Sequence, residues 1–146
     1  MTDRSIRFFA DDAAVRHVGE GLLARALPRA EWTHEAHLAS CLWLLVERPD
    51  IDPDRDLRSI ISRYNESVGG VNDETQGYHH TITLTFLGGV RRFLARTDPA
   101  LPLAAKVNAL LASPEGRRDW PLKLYSPVRL FSVAARMGYV APDLPS

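Results

Sequence analysis

One cysteine, Cys41, is all the thiol chemistry this chain possesses. No disulfide can close within a single chain, and a reducing cytoplasm is the simplest home for it. Neither sign of charge is in excess: 18 Lys and Arg balance 18 Asp and Glu, for a formal net charge of zero. That disfavours a general affinity for nucleic acid or anionic membrane and leaves only a local patch open. Long apolar runs are missing too. The longest, Leu38 to Val46, is interrupted by Ser40 and falls short of the roughly 18–20 residues of a membrane span. The opening MTDRSIRFFADD has no extended apolar core and no small-residue cleavage pattern, so no signal peptide is expected. No internal repeat, low-complexity tract or linker divides the chain. The expectation is a cytoplasmic protein of one domain, residues 1–146.

What is present is an ordinary globular composition, 45% hydrophobic and 25% charged over 146 residues, enough for one core and not comfortably two. Its apolar periodicity is helical. Asp11 or Asp12 can cap a helix carrying Val15, Val18, Leu22 and Leu23 as far as about Leu27, where Pro28 stops it. Thr33 is a good N-cap for a second helix that runs to Glu47 or Arg48, before Pro49. A third begins near Pro53-Asp54, carries Leu57, Ile60, Ile61 and Tyr64 on one side, and ends at Gly69-Gly70. Val68 to Gly77 has turn chemistry throughout, with Asn65 and Asn72 flanking the Gly-Gly pair. In YHHTITLTFLGGVRRFLAR the β-branched alternation of TITLT pulls toward strand. The stripe Ile82, Phe86, Val90 and Phe93 pulls toward one long helix through Gly88-Gly89, the preferred reading. A fifth helix spans Leu101 to Ala112. A sixth opens at Ser126-Pro127 and closes at Gly138, with APDLPS as a tail. The predicted fold is all-α, five or six helices with short loops.

Two of the five histidines, His34 and His37, stand three residues apart at the front of the second helix. At 100° per residue they lie about 60° apart and share a stripe with Leu38, Cys41 and Leu45. His79 shares the inward stripe of the fourth helix with Ile82, Thr83, Phe86 and Val90, while His80 lies toward a boundary. If the two helix starts are neighbours, His34, His37 and His79 converge. Three imidazoles can ligate zinc or another divalent transition metal and leave a position open for water or substrate. Glu35 or Asp73 would supply a carboxylate, and Glu35 a general base for hydrolysis. The spacing departs from the H-E-x-x-H helix of metalloproteases by one residue. Helix N-termini disfavour a further positive charge, which keeps imidazole neutral for a metal or for hydrogen bonds. The competing reading is that these are core-edge histidines donating to carbonyls and hydroxyls.

Other residues are weighed the same way. Tyr78, Thr81 and Thr83 surround His79 and could orient it; helical threonines also bond their own backbone carbonyls. Arg129, Ser132 and Arg136 recur on one face of the last helix, as an anion clamp or, preferred, a solvated polar face. His17 reads as surface or boundary. Cys41, mid-helix among apolar residues, reads as an inert thiol rather than a nucleophile.

W-T-H-E-A-H-L, Y-N-E-S-V-G-G-V-N, G-Y-H-H-T-I-T and Y-S-P-V-R-L-F-S-V-A-A-R together resemble a family of small bacterial proteins to which no activity is attached. The resemblance runs from about Trp32 to Leu144. It implies that His34, His37 and His79 belong to shared motifs; the family commonly has Glu where this chain has His80, and an aromatic, here Tyr139, precedes V-x-P-D-L. Two classes of function follow from the residues. One is a pocket for a small-molecule ligand, with or without a metal ion and catalysis, involving His34, His37, Tyr78, His79, Thr83, Arg129 and Arg136. The other is an interaction or accessory protein with structural histidines.

Overall fold

The computed structural model describes residues 5–145 of the chain. Residues 1–4, where the reading of the N-terminal stretch begins, and Ser146, the end of the predicted tail, lie outside the described residues. Among the described residues there are seven α-helices and no strand. None of the helices is long and apolar enough to cross a membrane.

The helix starts follow the capping chemistry of the sequence. The Asp11 side chain accepts from the Ala14 amide at 2.8 Å and opens α1, Asp12–Ala24. Its end comes earlier than Pro28: Arg25 turns left-handed, with φ of 56°, and the chain leaves the helix there. Thr33 caps α2, His34–Glu47, by accepting from Ala36 at 3.1 Å. Asp52 caps α3, Pro53–Ser67, with the proline at the first position, where its missing N–H costs nothing. The strand signal of TITLT gives way to α4, His80–Ala95, in which two of its three threonines return their hydroxyls to the helix. Thr83 and Thr85 donate to the carbonyls four residues back, at 2.8 and 2.7 Å.

Helix α2 is the centre of the molecule. It is buried from Glu35 to Leu44 apart from His37, and it touches α1, α3, α4 and α5, Leu103–Leu111. A helix apolar nearly all round belongs in that position. Against α1 the approach is so close that a Cβ at Gly19 would overlap the Trp43 ring. Helix α4 makes a similar approach through Gly89, whose missing side chain admits Trp120 and Glu115, whereas Gly88 faces open space. Asp12 caps α5 from across the fold, accepting from Ala104 at 2.7 Å. Asn108 of α5 ties down the Phe9 backbone through both its amide nitrogen and its carbonyl oxygen.

The last part of the chain differs from expectation. The predicted sixth helix is two, α6 (Pro127–Leu130) and α7 (Val133–Met137). Ser132 makes the break: its hydroxyl donates to Arg129 O at 2.7 Å and accepts from Ala135 N at 3.1 Å, closing one helix and capping the next. Gly138 is extended rather than left-handed. The tail is strapped down. Thr81 of α4 bonds Gly138 O and Val140 N, Tyr125 donates to Val140 O, and Asp143 accepts from Ser126.

Candidate functional site

The starts of α2 and α4 are neighbours, and His34, His37, Tyr78, His79 and Thr83 line one cavity of about 400 Å³. The rest of its wall is mainly apolar and aromatic, with Trp32, Leu38, Leu57, Ile61, Ile82 and Phe86 the larger pieces. Size and lining are those of a small-molecule pocket. The loop between α3 and α4 closes one side. Asn72 holds that loop by donating to Ser62 O at 3.0 Å and accepting from Tyr78 N at 2.9 Å, and Gly77, at φ of 81°, packs where a Cβ would strike Val71 O.

The three histidines share the wall and differ in what they have left to offer. His79 is spent. It is the N-cap of α4: Nδ1 accepts from Ile82 N at 3.1 Å, and Nε2 meets Leu130 O at 2.8 Å. An amide only donates and a carbonyl only accepts, so His79 is the neutral Nε2–H tautomer with both nitrogens occupied. Burial, ahead of the nearby Arg136, pushes its pKa down, opposed by the Leu130 bond. His34 is half spent. Its Nε2 donates to Gly116 O at 2.8 Å, and its ring meets Phe86 edge-on. Burial first, and Arg118 after it, lower its pKa against the Gly116 bond.

His37 is free. Among the described residues no protein group hydrogen-bonds either of its nitrogens; its ring packs against Trp32, centroids 4.0 Å apart and planes tilted by 43°. His37 is exposed, and it lines the cavity wall. Its pKa falls to about 4, through enclosure by the protein and then repulsion from His34. Trp32 and His37 stand just before the Thr33 cap and at the fourth position of α2, the pair that staples a helix start to the chain entering it. That spacing was the signal for Trp32 as a site residue, which the histidine pattern passed over. Ser40, also overlooked, lines the same wall with its buried hydroxyl unpartnered.

Other sequence-predicted residues lie elsewhere. Glu35 points away from the histidine cavity, as its 100° offset from His34 requires. Its side chain is 4% exposed, lies 3.6 Å from Arg118, and borders two other hollows. It is not placed to act as a base in the cavity. Arg129 donates to Ala141 O at 2.6 Å, and Arg136 to Gly77 O at 2.8 Å. They sit on different short helices, neither lines the cavity, and each half-buried side chain donates to a carbonyl near the surface. Asp73 is exposed and holds its own loop at Thr75 and Gln76. Among the described residues no group of three His, Cys, Asp or Glu could hold a metal ion. His79, with both ring nitrogens engaged, has no lone pair to give one. Cys41 lines the cavity, and burial raises its pKa to about 12, so it stays a thiol.

Compared with family models, curated proteins and solved structures, the chain finds no match.

Proposed function

We propose that the cavity between the starts of α2 and α4 binds a small organic molecule, with His37 as the side chain that recognises it. The observation carrying this reading is an imidazole with two unused nitrogens on the wall of an otherwise largely apolar cavity. A polar group placed in apolar surroundings is costly to leave unsatisfied, and a ligand offering a matching donor or acceptor recovers that cost.

Binding is favoured over catalysis by the same chemistry. A general base works best with a pKa near the ambient pH, and His37 at about 4 is a weak one at neutrality. Cys41 as a thiol is no nucleophile, and Glu35 stands on another side of α2. A metal-assisted hydrolysis, with zinc or another divalent transition metal, would have to draw on His37 and the remaining nitrogen of His34 alone. The accessory-protein reading is favoured by one residue, His79, whose role is a helix cap and a tie to α6.

The test is a thermal-shift screen of a chemically diverse panel of small molecules against the wild-type chain and His37→Phe. Hits that stabilise the wild type and lose their effect in His37→Phe are expected. Hits that stabilise both proteins equally would remove His37 from the site, and a panel without hits would remove the pocket reading.

A further inference from the structure

The chemical class of the ligand follows from what the wall lacks. Among the described residues no Lys, Arg, Asp or Glu lines the cavity. Four cations stand behind the wall, and each is engaged: Arg136 on Gly77 O, Arg58 on Met137 O and over the face of the Tyr78 ring, Arg91 on Asp54, and Arg118 beside Glu35. A charged ligand would leave water for a site that offers no counter-ion, which is strongly unfavourable. The imidazole that is free to respond does not readily become one, since burial and His34 hold His37 neutral.

What the wall has is flat and double-natured. Trp32, Tyr78, Phe86 and the imidazoles present ring faces and edges, which favour stacked or edge-on ring partners. A neutral imidazole carries one N–H and one bare nitrogen, so His37 offers both a donor and an acceptor. From this we infer that the cavity takes an uncharged, ring-bearing molecule that carries its own donor and acceptor, and that it discriminates against ionised analogues of the same shape. The inference rests on the pocket reading above and narrows it.

Benzamide, benzoate and benzamidine make the test. They share a ring and a planar head group and differ in charge at pH 7.5: none, negative and positive. Each is titrated into the full chain while the NMR signals of His37 and the Trp32 indole are followed. Saturable shifts with benzamide, at least tenfold tighter than either ion, are expected. His37→Phe keeps a ring against Trp32 but no nitrogen, and it should weaken benzamide by about tenfold. If benzoate or benzamidine binds as tightly as benzamide, the neutral-ligand inference falls while the pocket stands. If none of the three moves those signals, the inference falls as well, and the diverse panel decides separately whether the pocket reading goes with it.

Discussion

Nε2 of His79 donates to the carbonyl of Leu130 at 2.8 Å, while the other nitrogen of the same ring caps α4. One imidazole thus starts a helix and ties it to α6. Removing it leaves both the Ile82 amide and the Leu130 carbonyl without their partner. His79→Ala should cost about 2–3 kcal/mol, a lost cap plus a lost buried hydrogen bond. His79→Asn, which restores a capping oxygen, should recover about 1 kcal/mol of that. Urea unfolding measures both, and an alanine variant as stable as wild type would show that the ring is not structural.

His37 should behave in the opposite way. It makes no hydrogen bond to the protein among the described residues, and phenylalanine preserves a ring against Trp32. His37→Phe should leave stability within about 1 kcal/mol of wild type. A loss as large as that of His79→Ala would mean that the ring holds the fold and is not reserved for a ligand.

The histidines also set a pH dependence. His34, His37 and His79 all have pKa values lowered from 6.5, with burial the first cause in each. The unfolded chain therefore takes up protons before the folded one does. Their contribution to stability is fully present above about 6.5 and is lost as pH falls through that value toward the folded pKa, about 4 for His37. The urea midpoint should fall between pH 7.5 and pH 5, and fall less steeply in His37→Phe. A midpoint flat over that range would show that the rings are not held neutral.

Cys41 should be slow to react in the native protein and fast once unfolded, because burial holds the thiol near a pKa of 12. Labelling with a disulfide reagent before and after denaturation reads this directly. Rapid native labelling would mean that a thiolate forms in the cavity and would bring back a nucleophilic role.

The local half of this protein is readable from its residues. Thr33 before an apolar run caps a helix by its own side-chain oxygen, and Asp52-Pro53 does the same, since cap and capped amide lie within three residues. The stripes of α2 and α4 follow from a fixed 100° per residue, so the meeting of His34, His37 and His79 at one cavity was in reach. Even the Trp32–His37 ring contact has a local signature. The limits were local too where two short-range devices competed: Ser126-Pro127 to Gly138 carries enough helix signal for one helix, and the Ser132 hydroxyl cuts it in two.

What each histidine does was decided by the tertiary structure alone. His34 meets a carbonyl 82 residues away at Gly116, and His79 meets one 51 residues away at Leu130. Among the described residues no such carbonyl reaches His37. A backbone carbonyl is the same group at every position, so nothing in residue type marks which one an imidazole will find. Helix periodicity determines the face on which a side chain stands. Only the packing of α2 and α4 against the chain beyond them determines whether its nitrogens are already taken, and here it left one ring of the three unclaimed.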